Sequence, residues 1–385
     1  MDSTFIFSKP VSDKHFIGRA TECQVLANLI AQGENVVIYE PPCTGISSLL
    51  SRALFSLKAR CADMITASVS LLNVRTQKDL ATALGSAILA ASGSSPEEYA
   101  ALAEAFLGGT HLVFDRSRYN LTGDIISLTW DPDDDDFRAL FMLPYRISAG
   151  RSRQMAVIFE HFDNIMETED GERLCKLLEG VFKEKGTVTG SRVSYVFTGS
   201  RVNAMNWIFG IKRFFYRQCE RVRIGEIDTR EIIEYVVRGF LVTGKVVDKD
   251  LLLGACKLFR NNIWYINTFA YFCDSLSRGY IMENILAEAL EYTIALNRPR
   301  FIATMDSLTT FQISLLRAIL EGNTKFSSSE VIQKYGLNSS ANVRRLKDAL
   351  CKKEIVTFDE NDIPVVLDPL FEYWAGKYYF NLKEQ

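Results

Sequence analysis

Residues 35–50 read NVVIYEPPCTGISSLL, and the fold is decided by this stretch. The apolar run at 36–39 is short and continuous, as for a strand buried on both faces of a parallel sheet. It enters a turn that Gly45 closes, and Ser47, Ser48, Leu49 and Leu50 then open a helix. That layout is a strand, a phosphate loop and a helix, for which the pattern G-x-x-x-x-G-K-[ST] is expected. Here Glu40 stands at the first glycine and Ile46 at the lysine, and Pro41 and Pro42 bring no N–H to the turn. The frame of the loop is present without its usual charge.

Working outward, Val25, Leu26, Leu29 and Ile30 recur at helical spacing, so a helix over 22–32 precedes the strand. A helix over 47–58, a strand over 64–71 and a helix over 76–92 follow. Further buried strands are expected at 155–159 and 194–198, with a helix at 170–184 between them. Strands alternating with helices predict a doubly wound α/β domain. Residues 93–150 interrupt the rhythm, with a hairpin expected over 110–130 and its turn near 120–123. The aspartates of 131–136 lack the spacing and the twelfth-position glutamate of an EF-hand. They read instead as the acidic first turn of the helix that follows.

From 228 to about 298 the pattern is wholly helical, beginning with TREIIEYVVRGF. After Phe301 come three helices (LTTFQISLLRAILEG, SSSEVIQKYGL and SSANVRRLKDALCKKEIV), a turn at 359–362 and an apolar strand at 364–367. Three helices and a hairpin predict a winged helix-turn-helix. The expected divisions are therefore 1–227 for the α/β domain, 228–300 for a helical lid and 301–385 for the winged helix.

Composition narrows the function. The net charge of -3 implies no general attraction to nucleic acid or anionic membrane. No run of eighteen apolar residues occurs, and MDSTFIFSKPVSDKHF has no basic flank leading into an apolar stretch. The eight cysteines never form C-x-x-C, so they read as reduced thiols of a cytoplasmic protein. With only three histidines, a histidine-rich metal site is disfavoured.

These pieces, in this order, resemble the AAA+/STAND-type ATPases abundant in archaea and bacteria, and the resemblance covers nearly the whole chain. Phe16-Ile17-Gly18-Arg19 with Glu22 matches the F-[VI]-G-R-x-x-E opening. Thr44-Gly45 and Ser47-Ser48-Leu49 match the second half of the T-G-K-[ST]-S-L loop. Phe197-Thr198-Gly199-Ser200 matches the F-[ST]-G-S strand end, and Asp368-Pro369-Leu370-Phe371 with Trp374 matches the D-P-[LF]-F-x-x-W ending. The fold so implied is an α/β, doubly wound parallel-sheet P-loop NTPase core of AAA+ type, with a helical lid and a C-terminal winged helix.

The resemblance also implies ATP or ADP with magnesium as ligands. Arg19 near the adenine, Pro41, Thr44, Gly45, Ser47 and Ser48 of the loop, and Thr198 of the sensor strand would line the nucleotide; Ser47 and Glu160 would hold the metal. Aligning the family's h-D-E-F-Q on Phe159-Glu160-His161-Phe162-Asp163 puts His161 where the glutamate that orients the attacking water belongs. In the lid, a G-x-P whose proline packs on adenine is replaced by Asn261-Asn262-Ile263. After the sensor strand, F-Y-G-R becomes Phe215-Tyr216-Arg217-Gln218. The missing lysine contact is worth roughly 1.5–3 kcal/mol. A Glu40 carboxylate facing the loop would add repulsion of up to about 4 kcal/mol per phosphate charge.

Two readings result. One is a degenerate ATPase fold serving as a scaffold or regulatory subunit for a protein partner, with weak or absent hydrolysis and a loop that binds no nucleotide. The other is an atypical ATP binder that recruits a cation from elsewhere, with Lys14, Arg19 and Arg201 as first choices, and that binds DNA through its winged helix. For nucleic acid the candidates are Arg344, Arg345 and Lys347, although residues 305–385 hold ten basic against eleven acidic side chains. The aromatic ending, with Phe371 and Trp374, reads as the seam on which the winged helix docks rather than as a base-stacking platform.

Overall fold

The computed structural model describes residues 4–11 and 15–382. The chain forms two compact units. One contains Ala20–Glu40 and Leu49–Ile224; the other gathers the described residues up to Arg19, Pro41–Ser48 and the chain from Gly225 onward.

The α/β unit is built on a five-stranded, all-parallel sheet in the order Ile65–Ser70, Met155–Glu160, Val193–Gly199, Val36–Tyr39, Glu220–Arg221. The strands Val36–Tyr39 and Val193–Gly199 are buried at every residue, which is why they read as unbroken apolar runs. Phe159 and Phe197 stack between neighbouring strands, 5.5 Å between ring centroids and 6° from parallel. The helices Ala20–Gln32, Gln77–Ser92 and Gly171–Glu184 lie where the periodicity predicts them. Thr76 starts the second of these with a reciprocal capping box to Asp79.

The insertion departs from the expected plain hairpin. Leu112–Val113 and Ser127–Leu128 do pair antiparallel, but their connection contains the helix Arg116–Thr122. Asp115 caps that helix, and Gly123, at φ 80°, ends it where the sequence suggested a hairpin turn. The aspartate run starts the helix Asp134–Arg151, as expected. Asp133 accepts from the Asp135 and Asp136 N–H groups, and the Asp136 carboxylate accepts from the Asp133 N–H in return.

In the other unit, lid and winged helix share one apolar core. The lid helices are Thr229–Val242, Lys249–Leu258, Ile263–Leu276 and the 24-residue Glu283–Asp306. A small parallel pairing of Val246–Val247 with Tyr280–Ile281, which the helical pattern did not suggest, ties two of the connections. The winged helix follows as Thr310–Leu320, Ser329–Tyr335 and Ser340–Lys352, with the wing strands Val356–Phe358 and Pro364–Val366 antiparallel. Its aromatic ending is a core seam: Phe301 of the long lid helix packs on Phe371 at 5.7 Å and on Trp374 at 5.4 Å.

Candidate nucleotide site

The loop after the first strand turns through two left-handed residues. Between the strand ending at Tyr39 and the helix Ile46–Arg60, Cys43 and Gly45 are left-handed, with φ of 65° and 94°. The Thr44 hydroxyl turns back to donate to the Pro41 carbonyl at 2.9 Å, closing the loop on itself. Ser47 is exposed, whereas Ser48 Oγ accepts the Val11 N–H at 3.1 Å and so anchors the N-terminal segment.

Arg19 reaches this loop from the F-I-G-R motif. Its Nη1 donates to the Thr44 carbonyl and its Nε to the Gly225 carbonyl at 3.3 Å. A Cβ placed on Gly45 would meet Arg19 Nη1 at 2.9 Å, so glycine here serves both the left-handed turn and the approach of the guanidinium. Lys14 lies outside the described residues.

In the α/β unit, the other motif residues are engaged within their own surroundings. Glu40 Oε1 accepts the Ile224 N–H at 3.4 Å, so this carboxylate is tied to the segment beyond the edge strand. Glu160 Oε1 accepts from the Ser68 hydroxyl at 2.6 Å. His161 follows it in left-handed conformation, φ 56°, at the start of a 3₁₀ turn. The Thr198 hydroxyl donates to the Phe159 carbonyl at 3.3 Å, and Arg201 pairs with Glu167 at 3.0 Å. Arg217 is exposed and lies over the Tyr216 ring at 5.2 Å.

Asp163, to which the motif alignment assigns no role, is a buried carboxylate that ties the turn after the second buried strand to the end of the third. It is 2% exposed, and its Oδ1 accepts the Ser200 N–H at 3.2 Å. Burial pushes its carboxyl above the usual range, against the stabilising backbone N–H groups of Asp163 and Ser200. A Cβ on Gly199 would stand 2.7 Å from the same oxygen, which explains glycine at that strand end. The available signal was its place at the fifth position of the h-D-E-F-Q alignment.

The lid stretch Arg260-Asn261-Asn262 forms a turn and a helix cap. Arg260 and Asn261 make a left-handed turn, and Asn262 Oδ1 caps the next helix by accepting from Trp264 and Tyr265 N–H. The Trp264 indole N–H then donates to the Phe7 carbonyl at 2.8 Å. Close by in the same unit, a cavity of about 130 Å³ opens among Pro42, Cys43, Tyr265, Arg300, Lys353 and Asp368. Asp368 accepts from the Tyr265 hydroxyl and from Arg300, both at 2.8 Å, while also capping the helix Pro369–Trp374.

Of the nucleic-acid candidates, Arg344 and Arg345 are exposed on the helix Ser340–Lys352. Lys347 is not on that solvated face. It pairs with Asp362, its ammonium lies 4.5 Å from the Phe358 ring and 5.2 Å from that of Phe326, and its side chain is only 15% exposed.

Among the described residues, no helix is long and apolar enough to cross a membrane. Residues 299–377 match the family model described as "Probable winged helix domain". No curated protein matches the chain. Among solved structures, the chain is similar to a Walker-type ATPase of Pyrococcus abyssi, at 16% identity and a TM-score of 0.66, covering 96% of this chain and 99% of the other. It is also similar to the ORC2 protein of Aeropyrum pernix in its ADPNP–ADP complexes (13% identity, TM-score 0.58, 95% and 93% covered). The third is the ORC1 protein of the same organism in complex with DNA (12% identity, TM-score 0.51, 99% and 97% covered). At these identities the likeness is one of fold: the chain has the AAA+ fold of Walker-type and ORC ATPases, and it ends in a winged helix domain.

Proposed function

We propose that this chain is a cytoplasmic, non-hydrolysing member of the AAA+ fold that serves as a scaffold or regulatory subunit for a protein partner. The observation that carries the reading is a phosphate loop with its left-handed turn at Gly45 intact and Ile46 in place of the lysine. Two further features support it. His161 replaces the water-orienting glutamate, and Glu160 is hydrogen-bonded to Ser68. A site that cannot orient water loses turnover before it loses binding, because positioning and charge supply most of phosphoryl-transfer catalysis. The test is steady-state ATP hydrolysis by the full chain. No turnover above that of Ser47→Ala is expected; turnover that Ser47→Ala abolishes would overturn the reading.

A second reading, DNA binding through the winged helix, is favoured by the exposure of Arg344 and Arg345 and by the DNA complex of the ORC1 relative. A mobility shift that weakens with salt and with Arg344→Ala would support it. A shift unchanged by that substitution would remove it.

A further inference from the structure

The aspartates of 131–136 are matched by cations at some positions and not at others. Asp131 pairs with Lys78 and Asp134 with Arg173, while Asp135 is exposed. Asp133 and Asp136 form no ion pair with a lysine or arginine among the described residues; their basic neighbour is His111. Asp136 is nonetheless buried, and a carboxylate taken so far from water is ordinarily paired with a fixed cation or bound to a metal. His111 comes from 25 residues before Asp136, and its backbone is fixed on both sides. The N–H donates to Asp136 Oδ1 at 2.8 Å, and the carbonyl accepts the Thr129 N–H at 3.0 Å. The ring is thereby aimed at the two acids, with Nδ1 2.9 Å from Asp136 Oδ2 and 3.9 Å from Asp133 Oδ2. Asp133 Oδ1 accepts the Asp135 and Asp136 N–H groups, which answers the positive end of the helix and leaves Oδ2 for another partner. One ligand atom from each of the three residues thus lies within 4.8 Å of the others.

We propose that His111, Asp133 and Asp136 form a binding site for a divalent transition-metal ion of the zinc type, which fastens the strand Leu112–Val113 of the insertion to the start of the helix Asp134–Arg151. One imidazole nitrogen and two carboxylate oxygens are a zinc ligand set, and three protein ligands leave a fourth position for water. Ligand atoms about 2.1 Å from a tetrahedral ion stand about 3.4 Å apart, so a small turn of the exposed Asp133 side chain closes the set. Backbone N–H groups hold both carboxylates in place, as outer-shell donors do around metal ligands. Magnesium and calcium prefer shells made of oxygen alone and fit this set poorly. The competitor is a proton on His111, whose hydrogen bond to Asp136 holds it above its ordinary value; a bound metal displaces that proton.

The experiment is calorimetric titration of zinc chloride into the chelator-treated full chain, beside His111→Gln and Asp133→Asn. Both side chains are partly exposed, and asparagine keeps the helix cap, so each variant should melt cooperatively in chelator. Cys43 and Cys61 are exposed and thiolates also bind zinc, so cobalt is titrated in parallel. Thiolate ligands give cobalt an intense near-ultraviolet charge-transfer band that nitrogen and oxygen ligands do not. Wild type is expected to bind zinc, and to bind cobalt without that band. Each variant should weaken this site by about tenfold or more, and zinc should raise the melting temperature of wild type more than that of either variant. Zinc binding equal in all three chains, or cobalt binding only with the thiolate band, would overturn the proposal and assign the metal to the cysteines. No wild-type binding at submillimolar zinc would also overturn it. So would full binding by Asp133→Asn alongside a loss in His111→Gln, because Asp133 would then not be a ligand.

Discussion

The phosphate loop and the winged helix treat charge in opposite ways. Between Pro41 and Ser48 no basic side chain occurs, and the loop is defined by its backbone: a left-handed Gly45, a self-bonded Thr44 and the start of a helix. In the winged helix, charges are plentiful and paired with one another. Glu321 accepts from Tyr335 at 2.6 Å, Arg317 at 2.8 Å and Lys334 at 3.0 Å. Lys347 is held by Asp362 and two aromatic rings, and Glu372 pairs with Arg260 of the lid. The contrast teaches that the backbone of a turn and the charges around it are set separately: left-handed residues follow from local sterics, while paired charges follow from where the chain folds back.

The largest effect expected from breaking this contrast is in the aromatic seam. Trp374→Ala removes a 4%-exposed ring packed on Phe301 and Phe371, and should cost about 3–5 kcal/mol of stability in urea unfolding. A cost under about 1 kcal/mol would mean that the winged helix is not held through this seam.

Asp368→Ala should follow at about 1–3 kcal/mol, because it removes a helix cap together with the bonds from Arg300 and Tyr265. If Asp368→Asn costs as little as a surface change, the ion pair adds nothing beyond the cap.

On the loop side, Gly45→Ala should destabilise by about 1–2 kcal/mol through the left-handed backbone alone. The added Cβ would also meet Arg19 Nη1 at 2.9 Å, which adds to the cost. A cost under about 0.5 kcal/mol in urea unfolding would show that the turn tolerates a side chain.

The smallest effect is a pH dependence in the winged helix. The Tyr335 hydroxyl and the Lys334 and Arg317 cations hold the Glu321 carboxyl down to about 2. A lowered folded-state value stabilises above the unfolded value near 4.3, and that share is lost as pH falls towards 2. Wild type and Glu321→Gln should therefore differ in melting temperature at pH 6, and the difference should shrink below about pH 4 and close only as pH falls to about 2. Curves that stay parallel over that window would show the three partners to be idle.

The sequence by itself determined the four longer strands of the sheet, the three central ones because residues buried on both faces must be apolar; Val36–Tyr39 was legible to the residue, whereas the fifth strand, Glu220–Arg221, exposed at both residues, carried no such signal. It also determined the capped helix starts at Thr76 and Asp133, where short polar side chains meet orphan N–H groups, and the three helices and wing of the C-terminal domain. The helix Arg116–Thr122 escaped notice because seven residues, none buried, carry no apolar period. The pairing of Val246–Val247 with Tyr280–Ile281 was missed because two residues cannot alternate.

Only the tertiary structure decided which charges face which partners. Helical spacing placed Lys347 among solvated cations, yet Phe326, Phe358 and Asp362, distant in sequence, enclose it. Glu40, one residue past the first strand, accepts the N–H of Ile224, 184 residues further along the chain. Arg19 lies 25 residues before the Thr44 carbonyl it holds, a separation that no local pattern encodes. Periodicity reports whether a residue meets water or core; the partner of a charge is set by where the folded chain returns.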